Sequence, residues 1–386
     1  MPESNPPLSL RVDPRFQDRE RQPGLDLLRA LAIIVVVIYH AGIMGFPTPG
    51  RVHRWGWIGV DLFFVLSGYL IGGQLMSAAR SRTHSEVRGQ GIDLKRFYAR
   101  RALRIMPAYF VILAIYIFLP SWREYPEMTP WWKFLLSIQN IGLHGGTAFS
   151  HAWSLAVEDQ FYLTLPVILL FVTRWPRTAL IVPCLIVLGG ILLRTFLAYQ
   201  NLGDTGVSFR GFQSWIYYPT WTRLDPLVFG VGLAAIEKFR PECWRRLSNL
   251  APWIWLPALA VIGYALWLGE SDYINFAASV WQFPLLALAF GALLVCAQSD
   301  RLPLRRIAIP GAAFIATIAY SAYLVQKLVI HFVREFCDQY DIDPISAPAL
   351  IGVQLCVYAA ATVLFLLVER PFLRLRHRIA PRSSRT

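Results

Sequence analysis

Charge is scarce in this sequence: only 16% of its 386 residues are Asp, Glu, Lys or Arg, where soluble domains carry about 25%. So little charge cannot cover a water-facing surface, which excludes an ordinary cytosolic enzyme. The 55% hydrophobic content excludes a disordered chain. Cysteine is scarce too. Cys184, Cys243, Cys296, Cys337 and Cys356 are scattered without metal-site spacing, so neither a disulfide framework nor a metal site is expected. Internal repeats and low-complexity tracts are missing. No small-residue cleavage site follows the first apolar run, which therefore reads as a retained anchor rather than a removed signal.

Long apolar runs are abundant. Stretches of the roughly 20 residues needed to span a bilayer fall at about 26–45, 56–77, 105–121, 150–173, 178–198, 223–239, 251–269, 276–297, 307–332 and 346–368. The sequence thus predicts an all-α, polytopic membrane protein of about ten transmembrane helices. A cytoplasmic tail is expected over 1–24, a membrane domain over 25–373 and a basic tail over 374–386. The 14 Trp, 16 Tyr and 24 Phe suit the aromatic belts of a bilayer interface. The segment around Trp131–Leu143 is too short to span and reads as re-entrant or interfacial.

The formal net charge is +13, which raises the question of nucleic acid. Of the 37 Lys and Arg, 27 fall on the set of loops that shares a side with both termini and 9 on the other, with Arg29 inside the first span. That asymmetry follows the positive-inside rule and puts both termini in the cytoplasm. Topology accounts for the basicity, and no nucleic-acid partner is expected.

An ionisable group near the bilayer centre costs roughly 2.5–3.5 kcal/mol on insertion scales, so each is a candidate site residue. Arg29 and His40 are eleven residues apart in the first span, which returns a helix to within ~20° of one face at an axial gap of ~16 Å. Both are expected to look along one groove. Arg29 either lines its cytoplasmic mouth or snorkels to lipid phosphates. His40 is either a satisfied buried histidine or a proton-transfer group. Asp61 enters the second span at a similar depth, to orient a histidine or to cap its helix. Ser67, Gly68, Gly72 and Gly73 read as close helix packing.

Arg101 and Arg104 stand i, i+3 at the end of a basic loop, spaced to grip a phosphate or a lipid headgroup. Ser154, Glu158 and Tyr162 form one polar stripe at i, i+4, i+8, with Asp159 beside it. Arg223 and Asp225 could form a local ion pair, and Tyr320, Tyr323 and Lys327 share a helix face.

Together these stretches resemble the acyltransferase-3 family, integral membrane O-acyltransferases of bacterial polysaccharides and natural products. The matching pieces, in order, are Gly24-Leu-Asp-Leu-Leu-Arg29 with His40, Asp61-Leu-Phe-Phe-Val-Leu-Ser-Gly68, and Phe97-Tyr-Ala-Arg-Arg-Ala-Leu-Arg-Ile-Met-Pro107. Trp153-Ser-Leu-Ala-Val-Glu-Asp-Gln-Phe-Tyr162, Arg223-Leu-Asp225, Ala319-Tyr-Ser-Ala-Tyr-Leu324 and Glu369-Arg-Pro-Phe372 follow. The resemblance implies a ten-helix domain of the bacterial inner membrane. It would move an acyl group, commonly acetyl from cytoplasmic acyl-CoA, to a sugar hydroxyl on the far side.

By position, the family's Arg/Lys-x10-His pair falls on Arg29 and His40, and its Arg-x-x-Arg motif on Arg101 and Arg104. Two departures stand out. Asp159 replaces the second acid of the usual Glu-Glu-Gln, and Gln326 stands where the family often has histidine. The expected mechanism has Arg101, Arg104 and Arg29 holding the donor. His40 acts as general base, oriented by Glu158 or Asp61, or else the acyl group rests first on Tyr162, Tyr320, Tyr323 or His40. The chain ends soon after the tenth span, so acceptor acylation is expected in the membrane domain itself. The rival reading is a transporter of a glycan or acylated sugar, which predicts paired repeats and broken helices; neither is found.

Overall fold

The computed structural model describes residues 22–83, 93–175, 177–203, 206–270 and 274–379. Of the expected tails, residues 1–21 and 380–386 lie outside the described residues, while 23 and 24 already belong to α1. Within them the chain is helical almost throughout, with one two-residue antiparallel pairing, Leu202–Gly203 with Gly206–Val207. In order the helices are α1 (Pro23–Ile43), α2 (Ile58–Thr83), α3 (Leu94–Phe118), α4 (Trp131–Leu135), α5 (Trp153–Arg174), α6 (Thr178–Gln200) and α7 (Phe209–Gly211). They continue as α8 (Asp225–Phe239), α9 (Pro241–Leu268), α10 (Phe276–Gln298), α11 (Ala312–Gln339), α12 (Ala347–Leu364) and α13 (Arg370–Ile379).

Among the described residues nine helices are long and apolar enough to cross a membrane, one fewer than expected. The shortfall is α8, whose 15 residues reach ~22 Å at 1.5 Å per residue, short of a ~30 Å hydrocarbon core. Residues 223 and 224, expected within that span, lie outside its helix. Helix α3 differs the other way and begins eleven residues before the expected 105. Asp93 caps it by accepting from the Arg96 backbone N–H at 2.9 Å, a helix start that hydropathy does not register. Arg101 and Arg104 are thereby on a formed helix. The segment around Trp131–Leu143 is too short to span, as expected: α4 is five residues long, with Trp131, Trp132 and Leu136 exposed. The chain then turns inward, where buried Gln139 and Asn140 donate to the Ala152 and Tyr218 carbonyls.

The bundle's largest apolar core joins α1, α2, α3, α5, α11 and α12, and a second joins α1, α2, α9 and α10. Both depend on α2 lying close to its neighbours. A Cβ added at Gly68 would fall 2.1 Å from the Leu227 carbonyl oxygen of α8, and one at Gly230 would fall 2.2 Å from the Val65 oxygen of α2. Here glycine backbone meets backbone, which is how helices without a hydrophobic drive between them approach closely. Gly73 differs, since its added Cβ would sit 3.8 Å from the Ala234 Cβ, an ordinary contact.

Gly68→Ala is therefore expected to push α2 and α8 apart at a cost of about 1–3 kcal/mol, seen as a lower thermal unfolding midpoint in detergent. Gly73→Ala should be neutral or stabilising by up to about 1 kcal/mol. Equal midpoints for the two variants would show that the crossing does not constrain the bundle.

Candidate active site

Two chambers lie within the bundle, toward opposite ends of α1. The first, of about 300 Å³, is lined by Arg29 of α1, Ser67 of α2, Arg101 and Arg104 of α3, and Ser154, Glu158, Asp159 and Tyr162 of α5. The one-turn spacing on α3 puts both arginines on the same wall, and the i, i+4, i+8 stripe of α5 faces them. Glu158 is the hub. Its Oε1 accepts from Ser67 Oγ at 2.9 Å and its Oε2 from the Tyr162 hydroxyl at 2.9 Å, while Arg101 NH2 stands 3.7 Å from Oε2. The Arg101 guanidinium lies 3.1 Å over the Tyr162 ring, so charge and π-face hold it together. Asp159 Oδ2 accepts from Ser137, and Arg29 donates to Asp26 at 3.3 Å.

The second chamber, of about 660 Å³, lies where α1 ends and α2 begins. His40, Ser150, His151 and Lys327 line it among the rings of Tyr39, Trp57, Trp153, Tyr217 and Tyr218. His40 Nδ1 lies 3.0 Å from the Val36 carbonyl and 3.2 Å from Gln326 Oε1. Both partners are acceptors, so the hydrogen belongs on Nδ1 and Nε2 carries the lone pair. The His151 ring stands 5.9 Å away, with its Nε2 against the Leu324 carbonyl and its Nδ1 buried without a hydrogen-bond partner among the described residues. Lys327 Nζ donates to Ser150 Oγ at 2.8 Å and lies 3.6 Å from Glu124 Oε1.

Val60 and Tyr323 line both chambers and so form the partition between them. The Tyr323 hydroxyl donates to the His151 carbonyl at 2.6 Å and shares a 2.7 Å hydrogen bond with Ser154 Oγ. The single groove expected from Arg29 to His40 is thus divided at Val60 and Tyr323. All three candidate tyrosine carriers are hydrogen-bonded, Tyr162 to Glu158, Tyr320 to the Ile105 carbonyl, and Tyr323 as above.

Three sequence expectations need correction. Glu158 and Tyr162 belong with Arg101 in the first chamber, across the partition from His40. Asp61 does not orient His40 either: it is fully buried and receives Arg223 NH2 at 2.9 and 3.0 Å. Nor do Arg223 and Asp225 pair with each other. Asp225 binds Arg194 of α6 through two bonds of 2.6 and 3.1 Å, while the Arg223 guanidinium is caged by Phe283, Tyr217 and Trp153. Arg194, inside the expected span 178–198, is completely buried. These pairs cross between helices because a charge in a dry bundle binds whichever opposite charge the packing brings to it. Gln326 and His151 are the residues that sequence reasoning undervalued. The available signal for His151 was its place just ahead of the Ser154–Glu158–Tyr162 stripe.

Arg223→Leu is expected to leave Asp61 as an uncompensated buried charge and to cost about 3–5 kcal/mol, with Asp61→Leu behaving alike. The Asp61→Leu/Arg223→Leu double variant should recover most of that loss in the unfolding midpoint. A double variant no more stable than either single one would mean that the pair does not act as a unit.

Over residues 22–370 the chain matches the acyltransferase-3 family, described as an acyltransferase domain. It is 29% identical over 326 residues to the peptidoglycan O-acetyltransferase OatA of Listeria monocytogenes, a match covering 80% of this chain and 46% of that protein. The O-acetyltransferase OatA of Staphylococcus aureus strain NCTC 8325 is 28% identical over 341 residues, covering 81% of this chain and 51% of that protein. The chain therefore spans about half the length of these curated relatives. No solved structure matches it. The family match runs from just before α1 to the first residue of α13 and takes in both chambers: the chain belongs to the acyltransferase-3 family.

Proposed function

We propose that this chain is an integral membrane O-acyltransferase that moves an acetyl group from cytoplasmic acetyl-CoA to a hydroxyl of a sugar-containing acceptor beyond the bilayer. The observation that carries the reading is the pair of chambers abutting at Tyr323, cationic on one side and holding a lone-pair imidazole on the other. Family membership supports the chemistry, and the relatives named as O-acetyltransferases, one of them of peptidoglycan, support acetyl as the group and a polysaccharide as the acceptor class. The N-terminal end of α1 then faces the cytoplasm, since α1 begins at the arginine end.

In this reading Arg101 and Arg104, with Arg29, hold the donor's phosphates, because planar guanidinium groups meet phosphate oxygens through paired N–H donors. Glu158 and Tyr162 keep Arg101 in position. The donor's thiol arm reaches toward the partition, and the acceptor enters the aromatic chamber, where rings present flat apolar faces to sugar. His40 Nε2 takes the proton from the acceptor hydroxyl as its oxygen attacks the thioester carbonyl. The carbon–sulfur bond breaks, and the proton passes to the leaving thiolate. For that transfer the thioester has to pass between Val60 and Tyr323, so displacement of the Tyr323 ring is part of the reaction path.

Membranes carrying the protein, incubated with labelled acetyl-CoA and acceptor glycan, should move label to the glycan. His40→Ala should lower the rate by about 10²-fold or more while leaving the unfolding midpoint near wild type. Arg101→Ala should chiefly raise the apparent KM for acetyl-CoA, and an unchanged KM would return Arg101 to a purely structural role. Label that stays on the donor with every acceptor glycan tried, although the chain moves glycan across the membrane, would favour a transporter.

A further inference from the structure

A base needs its lone pair aimed at the substrate, and in many enzymes a carboxylate does the aiming. Among the described residues the carboxylates around the outer chamber are committed elsewhere: Asp61 to Arg223, Glu158 to Ser67, Tyr162 and Arg101, Glu124 to Lys327 and the Phe149 backbone N–H, and Glu127 beside His144 at 3.6 Å. We propose that the neutral amide of Gln326 is the positioning residue of the site, holding His40 in the Nδ1–H form with Nε2 facing the outer chamber. This rests on the reading of His40 as the base.

The geometry is determined at both ends of the amide. Gln326 Oε1 lies 3.2 Å from His40 Nδ1, and its Nε2 donates to the Tyr323 carbonyl at 3.1 Å, so the oxygen and nitrogen of the amide cannot exchange places without losing both bonds. Gln326 is fully buried, where an unmade amide hydrogen bond is costly. The other partner of Nδ1, Val36 O, lies one turn back on α1 itself and travels with that helix. Gln326 is the hydrogen-bond partner of the ring from another helix. It ties the direction of the imidazole to α11, the helix that also carries Tyr323 and Lys327.

The test uses the full-length purified protein with labelled acetyl-CoA and a glycan that wild type acetylates. Gln326→Met, similar in length but without the acceptor oxygen, should lower kcat by about tenfold or more, in keeping with losses of partners behind a functional histidine. The KM for acetyl-CoA should stay within about twofold, since the arginine chamber is untouched. Gln326→Glu, which retains an acceptor, should recover the greater part of the lost kcat. Nitrogen NMR of histidine-labelled wild type, with His40 assigned by difference against His40→Gln, should show Nδ1 protonated and Nε2 bare. The proposal is overturned if Gln326→Met keeps wild-type kcat, if Gln326→Glu is no better than Gln326→Met at equal thermal stability, or if wild-type His40 carries its hydrogen on Nε2. Should Gln326→Met fail to fold, Gln326→Asn, whose shorter arm withdraws the amide oxygen from Nδ1, takes its place with the same expected fall in kcat. Wild-type turnover by His40→Gln would instead sink the base reading itself.

Discussion

A charge inside a helix bundle of this kind costs several kcal/mol unless an opposite charge or a set of hydrogen bonds meets it, and this constraint organises the interior. Asp61 with Arg223 and Asp225 with Arg194 are completely or almost completely buried, and each pair joins segments distant in the chain. They tie α2 and α6 to the segment that opens α8, the region where a full-length span fails to form. Once these acids are neutralised, they are no longer free for chemistry at His40. What remains for the imidazole is an amide oxygen and a helix carbonyl.

The same constraint separates the polar groups into two chambers. Arg29, Arg101 and Arg104 lie with Glu158, Asp159 and Tyr162 on one side of Tyr323, and His40, His144, His151 and the paired ammonium of Lys327 lie on the other. An apolar ring between them keeps the cationic wall from reaching the imidazoles directly. The division of labour proposed for the protein follows from this partition.

Much of the architecture was legible in the sequence. Hydropathy marks where nearly all the spanning helices run, because apolar length is a local property of the chain. It missed the early start of α3, which depends on one capping aspartate, and it overran α8, where a short helix follows a polar turn. The face shared by Ser154, Glu158 and Tyr162 was readable from helical period alone, and so was the common wall of Arg101 and Arg104. Pairing across helices was not readable. Proximity in sequence suggested Arg223 with Asp225, while each binds a partner more than thirty residues away.

Sequence alone determined which side chains had to be answered inside the membrane, and on which face of which helix each would lie, because helical period and the cost of buried charge are local rules. Only the tertiary structure decided who answers whom. Placing Glu158 with Arg101, Asp61 with Arg223 and Gln326 with His40 depends on how α1, α2, α5 and α11 cross. Those crossings are set by glycines meeting backbone and by packed rings, contacts between residues that no spacing in the chain connects.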